Sequence, residues 1–398
     1  MRLALVRQRY TPFGGAERFI EGAIAALERN GASVTLITRA WRAESPRNAL
    51  IVNPPYAGRV WRDASFSRGV QALLRDEHFD LVQSHERIPG CDLYRAGDGV
   101  HRQWLDHRLK VAPLAERVGI RLNPYHWYVC AAERSMFEHP SLRAVICNSK
   151  MVAAEISSHF PLAAGKLHVI YNGVDLTHFH PERRNELRAQ ARAGLGLADS
   201  DLVFCFVGSG YARKGLRTAI DALAACGRSH FRLLVAGQDR AASKFVAHAA
   251  RAGIGDQVTF VGAQDDVRFV FAASDCFILP TRYDPFPNAA LEALAMGIPA
   301  IVSTQCGAAE VIEGGTNGWV CDPDATDSLA TLMVEVEGAP RERMGAAARE
   351  TAESLGIDKM AGLMTNLYAR LLGQGAAAST QGTRVFSSEA GRPGIKRG

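Results

Sequence analysis

The sequence predicts an α/β protein made of two parallel β-sheets, each covered by helices on both faces. Short apolar runs alternate with helical stretches twice along the chain, which is the order that parallel sheets require. A chain of 398 residues is also longer than one hydrophobic core usually serves. Turn-forming and polar residues near Tyr171-Asn-Gly-Val-Asp175 separate the two runs. We therefore expect two Rossmann-like domains that face each other across a cleft.

The predicted strands cover the apolar runs, and the predicted helices lie between them. In the first run, strands are expected at residues 2–6, 33–38, 80–83, 143–147 and 167–171, and helices near 15–30, 65–77, 127–138 and 149–160. In the second run, strands are expected at residues 201–207, 231–236, 257–261, 275–279, 299–302 and 318–321. The helical pattern after residue 356 is expected to cross back to the first domain, and the aperiodic tail after it to be disordered. The predicted boundaries are 1–171, 172–356, 357–372 and 373–398.

Composition narrows the class of protein. The first apolar run turns polar at Arg7-Gln-Arg9, too early for a signal peptide or a membrane span, so a cytoplasmic protein is expected. The eight cysteines are scattered without a Cys-x-x-Cys pair, which is typical of reduced core residues.

Charge is concentrated in the first part of the chain. Residues 1–170 hold 23 Lys and Arg against 16 Asp and Glu, and four of the five tryptophans lie there. Arginine with aromatic residues suits an anionic membrane surface or a phosphorylated acceptor. A solvated basic face with tryptophans in the core explains the pattern equally well. Nucleic acid is not expected, because no recognition motif accompanies the charge.

The segment from Arg282 to Pro299 carries two carboxylates at a junction between a strand and a helix. Asp284 lies in the predicted loop and Glu292 on the helix that follows, with seven residues between them. In an open parallel sheet, ligands bind at the carboxyl ends of strands, where the next helix points its N–H groups at anions. A lone pair of this kind would be better explained by a helix cap and an exposed glutamate.

Two glycine-rich loops occupy positions where phosphate is commonly bound. The first loop leaves the first strand of the second run, in the segment Phe204-Cys-Phe-Val-Gly-Ser-Gly-Tyr-Ala-Arg-Lys-Gly215. It places Arg213 and Lys214 at the start of a helix, where backbone N–H groups and two cations could neutralise a diphosphate. It matches neither the dinucleotide fingerprint nor the Walker A loop, and two surface cations at a turn are the alternative. Gly14 and Gly15 follow the first strand and would let a ligand approach the backbone, or would merely form a tight turn.

Together with Asn172-Gly-Val-Asp175 at the hinge, these motifs resemble family 4 of the retaining glycosyltransferases, which have the GT-B fold. The resemblance covers residues 1–372. The segments Tyr10 to Gly15, Gly208 to Gly215 and Val235-Ala-Gly-Gln-Asp239 are most similar to the lipopolysaccharide-core glucosyltransferases that add glucose to the inner-core heptose. The resemblance implies an acceptor-binding first domain and a second domain that binds the nucleotide sugar.

The resemblance also implies roles for single residues. Glu292 matches the glutamate that binds the nucleotide ribose, Asp284 the acidic group that contacts sugar hydroxyls, and Arg213 and Lys214 the cations on the donor diphosphate. Most members have Glu at the position of Asp284, so this sequence departs from the family pattern at the residue that contacts the sugar. The other donor-binding positions implied are Gly14, Gly15, Gly208, Phe286, Asn288, Ala289 and Ala290.

The first domain is expected to supply one group near the anomeric carbon. Arg95-Ala-Gly-Asp-Gly-Val-His101 occupies the corresponding stretch, with Asp98 as first candidate, His101 as second and His85 as third. The family mechanism retains configuration by front-face attack, in which the donor phosphate accepts the acceptor's proton. No metal or cofactor is expected, because Asp265-Asp266 is better explained as a helix cap.

The resulting hypothesis is a metal-independent hexosyltransferase. It would move glucose from UDP-glucose to a glycolipid acceptor, the lipopolysaccharide core, at the inner face of the cytoplasmic membrane. Two alternatives stay open: another GT-B enzyme such as a nucleotide-sugar epimerase, and a non-catalytic binder of sugar nucleotides.

Overall fold

The structure is a computed structural model that describes residues 1–8, 15–40, 48–162 and 164–382. The first sheet is built from β1 (Arg2–Val6), β2 (Ser33–Thr38), β3 (Ala49–Ile51), β4 (Leu81–Ser84), β5 (Leu93–Ala96), β6 (Ala144–Cys147) and β7 (Leu167–Val169). Its helices are α1 (Gly15–Arg29), α2 (Gly58–Asp76), α3 (His101–Val111), α4 (Leu114–Leu122), α5 (Pro124–Phe137) and α6 (Lys150–His159). All strand pairs are parallel, in the order β3-β2-β1-β4-β5-β6-β7.

The second sheet follows in sequence. Its strands are β8 (Leu202–Val207), β9 (Phe231–Ala236), β10 (Val258–Gly262), β11 (Cys276–Leu279), β12 (Ala300–Ser303) and β13 (Gly318–Cys321). Its helices are α7 (Pro181–Gly194), α8 (Leu216–Cys226), α9 (Ala242–Arg251), α10 (Arg268–Ala273), α11 (Asn288–Ala295), α12 (Thr326–Gly338) and α13 (Arg341–Glu353), and α14 (Ile357–Gly382) ends the described chain. The parallel order is β10-β9-β8-β11-β12-β13, so the predicted class of two Rossmann-like domains is confirmed.

Both faces of the first sheet are buried, as the apolar character of its strands requires. Along β1, Leu3 and Leu5 pack in one cluster with residues of α1 and α14. Ala4 and Val6 point the other way and pack with Phe66 of α2. Alternation along a strand therefore places helices on both faces, and the carboxyl ends of the strands remain available for a site.

The structure contains elements that the sequence pattern did not predict. Strand β5 was missed because Arg95 interrupts its apolar run, although all four of its residues are buried. Strand β3 is a short edge strand, helices α3 and α7 are largely polar, and helix α4 is a short amphipathic helix of nine residues. Tertiary packing, rather than periodicity, therefore decides the structure of these segments.

Helix α14 returns from the second domain to the first. Ile357, Met360 and Met364 join the cluster that covers one face of the first sheet. The helix continues past the predicted end at residue 372 to Gly382, and so enters the segment predicted to be disordered. Residues 383–398 lie outside the described part of the chain.

Gly173, at the hinge, leaves no room for a side chain beside α14. A Cβ placed on it would lie 2.5 Å from the Cα and 3.1 Å from the backbone N of Ile357. We expect Gly173→Ala to displace the start of α14 and to lower the free energy of unfolding by about 1–3 kcal/mol.

The matched control is Gly362→Ala, on α14 itself, where a Cβ meets nothing within 4 Å. This change should raise stability by about 0.5–1 kcal/mol, because alanine favours the helix. Urea unfolding monitored by circular dichroism compares the two variants, and equal effects of the same sign would contradict the packing argument.

Candidate active site at the cleft between the sheets

The loop between β8 and α8 brings two cations to the carboxyl edge of the second sheet. Gly215, immediately before α8, has φ 80° and approaches the carbonyl of Pro280, where a Cβ would lie 1.9 Å from the oxygen. Gly208 has φ 142°, and a Cβ on it would come 2.8 Å from the Lys214 Nζ. Glycine at these two positions therefore lets the loop fold tightly and leaves space for the Lys214 side chain.

Asp284 forms ion pairs with both of these cations. Its Oδ2 lies 3.1 Å from the Lys214 Nζ and 3.4 Å from the Arg213 Nη1, and its side chain is only 10% exposed. The backbone of Asp284 is also fixed, since its N–H donates to Gln305 and its carbonyl accepts from Gly307. A carboxylate held in this way keeps two positive groups close together at the edge of the sheet.

Helix α11 presents its N-terminus and Glu292 to the same space. Asn288 begins the helix, and the side chains of Asn288 and Glu292 are partly exposed. Phe286 and Ala290 are buried instead, and the N–H of Ala290 donates to the carbonyl of Pro287 at 3.2 Å. Within the first turn, Asn288 and Ala289 border the open space.

These groups line one cavity of about 420 Å³, here called the edge cavity. Of the predicted donor-binding residues, it is lined by Gly208, Arg213, Lys214, Asn288, Ala289 and Glu292, together with Asp284. A cavity of about 270 Å³ between the domains shares Asn288 and Glu292 with it. The structure therefore brings the two predicted loops of the second domain together into one pocket.

The edge cavity also contains residues that the sequence argument missed. Gln238 follows β9, which pairs with β8, and Gln264 follows β10, which pairs with β9. Polar residues directly after two adjacent strands were the available signal, because the carboxyl ends of parallel strands meet at one edge. The amides of these glutamines suit the edge of a nucleobase.

The first-domain candidates do not line the edge cavity. Asp98 is exposed in the turn after β5. His101 begins α3, and its Nε2 lies 3.1 Å from the Nδ1 of His126; burial, with Arg87 and His126 nearby, lowers the pKa of His101 to about 3. Burial likewise lowers the pKa of His85 well below its usual value, and its ring contacts Gln83.

Two further predictions concern glycines of the first domain and an acidic pair. Gly14 lies outside the described residues, and Gly15 is the first residue of α1. In the pair Asp265-Asp266, the carboxylate of Asp266 accepts from the N–H of Arg268, where α10 begins, and forms an ion pair with the Arg268 guanidinium. Both interactions lower the pKa of Asp266, with the side-chain hydrogen bond as the main cause.

A buried polar chain connects the first sheet to α11. The Arg95 Nη2 donates to the Asn172 Oδ1 at 2.9 Å, and the Asn172 Nδ2 donates to the Asn288 Oδ1 at 2.9 Å and to the carbonyl of Phe286 at 3.0 Å. Arg95 is 3% exposed, and burial lowers its pKa to about 10, so it remains charged at neutral pH. The hinge amide thus positions the N-terminus of α11.

Tyr283 makes a second connection between the domains. Its hydroxyl donates to the Glu155 Oε2 at 2.7 Å and accepts from the N–H of Val100 at 3.1 Å. Gly99 permits this approach, because a Cβ there would lie 2.0 Å from the hydroxyl oxygen. Since Tyr283 precedes Asp284, the loop that carries the acidic group is fastened to the first domain.

Glu310 makes a third connection. Its carboxylate accepts from the N–H groups of Lys150 and Met151, at 2.9 and 2.7 Å, and from the hydroxyl of Tyr171. Lys150 and Met151 begin α6, so a residue of the second domain satisfies the N-terminus of a first-domain helix.

Comparison with known proteins shows similarity to glycosyltransferases in both halves of the chain. A family model described as Glycosyl transferases group 1 matches residues 188–351, and one described as Glycosyltransferase Family 4 matches residues 13–178. An uncharacterized glycosyltransferase of Methanocaldococcus jannaschii is 30% identical over 347 residues, which cover 83% of this chain and 87% of that protein. The lipopolysaccharide glucosyltransferase WaaG of Escherichia coli is 26% identical over 342 residues, which cover 84% and 88%.

Solved structures share the fold. The crystal structure of WaaG, a glycosyltransferase involved in lipopolysaccharide biosynthesis, superposes with a TM-score of 0.79 at 23% identity, covering 92% of this chain and 99% of that chain. Anabaena HepE in complex with UDP-glucose superposes with a TM-score of 0.71 at 21% identity, covering 93% and 100%.

The burial of Glu155 at its contact with Tyr283 should make stability depend on pH. Burial raises the pKa of Glu155 from 4.5 to about 7, with a further rise from Glu133, against hydrogen bonds that lower it. A raised acid pKa means that this group's contribution is fully present below about pH 4.5 and is lost as pH rises through about 7. We expect the Tm of the wild type, relative to Glu155→Gln, to fall as pH rises through this range.

Differential scanning fluorimetry at a series of pH values measures this difference. The control is Glu342→Gln, an exposed glutamate of α13, whose curve should run parallel to that of the wild type. Parallel curves for Glu155→Gln as well would contradict the assignment.

Proposed function

The chain belongs to the glycosyltransferases, with a family 4 domain followed by a group 1 domain, and we propose that it is a retaining hexosyltransferase that uses a nucleotide sugar. The observation that carries the proposal is the edge cavity, where Arg213, Lys214, Asp284 and Glu292 meet the N-terminus of α11. Two cations and a helix N-terminus suit a diphosphate, and a carboxylate one helical turn further on suits ribose hydroxyls.

The proposed reaction exchanges one bond at the anomeric carbon for another on the same face. The bond to the donor phosphate oxygen breaks, the acceptor oxygen forms the new bond, and the acceptor's proton passes to the departing phosphate. Arg213 and Lys214 would stabilise the charge that develops on the diphosphate, the role that other enzymes give to a metal ion. We therefore propose a metal-independent reaction without a cofactor.

In this proposal, Asp284 and the first-domain candidates lie on the side of the site that faces the donor sugar. Asp284 is held by Lys214 and is one methylene shorter than the usual glutamate, so sugar selection should depend on this pair. Among the three candidates near the anomeric carbon, Asp98 is favoured because its side chain is exposed, whereas His101 is hydrogen-bonded to His126.

We propose UDP-glucose as donor and the lipopolysaccharide core as acceptor. WaaG, which is named a lipopolysaccharide glucosyltransferase, supports both, and the HepE complex with UDP-glucose supports the donor. These matches give no support to a nucleotide-sugar epimerase.

An exposed apolar stripe supports action at a membrane surface. Leu114, Val118 and Leu122 recur every fourth residue along α4 and are 77%, 50% and 65% exposed, and Trp127 beyond them is 60% exposed. Such a stripe, in a part of the chain rich in arginine, suits the interface of an anionic bilayer. None of the helices in the described ranges has the length and apolar character needed to cross a membrane. We propose peripheral attachment at the inner face of the cytoplasmic membrane.

Lys214→Ala should remove one cation from the diphosphate site. We expect kcat to fall by about 100- to 1000-fold, as when one preorganised charge donor is lost, with an unchanged far-ultraviolet spectrum. The measurement is UDP release from UDP-glucose with truncated lipopolysaccharide as acceptor.

The control for this change is Lys244→Ala, an exposed lysine on α9 of the same domain, which should keep full activity. Full activity of Lys214→Ala would remove the donor-site assignment. Absence of UDP release from the wild type with every acceptor would contradict transfer itself.

The double change of Leu114 and Val118 to Ser should weaken membrane attachment. Each side chain loses apolar area that the bilayer would bury, so we expect the partition coefficient to fall by about tenfold or more. Co-sedimentation with vesicles that contain anionic phospholipid measures the loss.

Leu363→Ser is the control, because Leu363 is also an exposed apolar residue, at 48%, but lies on α14 and not on α4. Equal losses in both variants would show that α4 is not the attachment surface.

A further inference from the structure

A second cavity lies between α3 and α4 of the first domain and the two loops of the second domain that carry Arg213 and Tyr283. It has a volume of about 480 Å³, within the range of small-ligand sites. Its lining from the first domain includes Trp104, His107 and Arg108, and from the second domain Arg213, Arg282 and Tyr283. We propose that this cavity, here called the arginine cavity, binds an anionic saccharide, a sugar ring that bears a phosphate or carboxylate group.

The charge of the lining supports an anionic ligand. Three arginines line the arginine cavity, with Glu116 as the one carboxylate among the lining residues of the described chain. Glu116 pairs with Arg108 at 2.7 Å, and Arg282 pairs with Asp324 at 3.0 Å, in ion pairs whose side chains are 38–51% exposed. Exposed ion pairs contribute little, so a ligand anion can replace either carboxylate at small cost. Guanidinium groups also match phosphate and carboxylate geometry with two hydrogen bonds.

The aromatic walls support a sugar ring rather than a bare anion. The ring of His107 stacks on that of Tyr283, with centroids 5.6 Å apart, so the cavity is lined by one aromatic ring from each domain. Trp104 provides a second surface, and Arg108 lies 5.5 Å from the centre of its ring. Burial and the neighbouring Lys110 lower the pKa of His107, so its imidazole is neutral at physiological pH. Amphipathic aromatic rings bind the apolar face of a sugar while leaving its hydroxyls accessible.

Its position makes the arginine cavity an acceptor site, and this assignment rests on the proposed function. Arg213 lines both the arginine cavity and the edge cavity, so a sugar bound here lies beside the diphosphate side of the donor. Pro113 and Glu116, at the start of α4, also line the arginine cavity. The exposed stripe of α4 begins at Leu114, so an acceptor anchored in a bilayer would present its headgroup next to this opening.

Binding of two probes tests the proposal without requiring transfer. The full-length protein is saturated with UDP, which occupies the donor site, and is titrated with glucose 6-phosphate or glucose by saturation-transfer-difference NMR. We expect glucose 6-phosphate to bind at least about tenfold more tightly than glucose, because a charge-assisted contact is added. Inorganic phosphate should bind more weakly than glucose 6-phosphate, because it lacks the ring.

Two variants locate the site. Arg108→Gln and Arg282→Gln should each raise the Kd for glucose 6-phosphate by about tenfold, with a much smaller effect on glucose. The control is Arg217→Gln on α8, whose side chain is 74% exposed, and this change should leave both constants unaltered. Unchanged Tm values establish that the variants are folded.

The proposal is overturned by equal affinity for the two sugars, by absence of binding, or by an equal loss in Arg217→Gln. These results are independent of the transferase assay. If UDP is never released with any acceptor but glucose 6-phosphate binding responds to Arg108 and Arg282, the proposed function fails and the anionic saccharide site stands.

Discussion

The buried guanidinium of Arg95 determines how the second domain meets the first. A charge with 3% exposure is costly unless it is hydrogen-bonded, and the Asn172 Oδ1 supplies that bond. Because an arginine can only donate, the hinge amide must present its oxygen to Arg95 and its nitrogen to Asn288 and Phe286. One buried charge on β5 therefore fixes the direction of an amide, and the amide fixes the start of α11.

The two cations of the edge cavity are likewise held in place by a group of opposite charge. Lys214 and Arg213 would repel each other at the end of β8, and Asp284 lies within 3.4 Å of both. The same carboxylate cannot reach freely toward a sugar while it holds Lys214. The short side chain at position 284 thus connects two roles that the family pattern treats as separate, phosphate binding and sugar binding.

The sequence was sufficient for the fold class and for the prediction that the second-domain candidates lie together, because both depend on local order. Apolar runs mark strands, and residues that follow adjacent parallel strands meet at one edge, which brought Arg213, Lys214 and Glu292 together. Contacts between segments that are far apart in the sequence could not be predicted from local order. Arg95 hid β5 by breaking its pattern, and the partners of Tyr283 lie on α6 and in the turn before α3. The ring contact between His101 and His126 also depends on packing of α3 against α5, which periodicity does not reveal.

Glu310 and α14 limit how the two domains can be exchanged between proteins. Glu310 caps α6 from the opposite domain, while α14, encoded after the second sheet, covers a face of the first sheet. The first half is therefore incomplete by itself, because it would lose two hydrogen bonds at the start of α6 and part of its core. Chimaeras that join the acceptor half of one glycosyltransferase to the donor half of another must transplant α14 with the first sheet and retain the acidic residue at 310. A cut at the hinge alone would separate α14 from the first sheet that it covers.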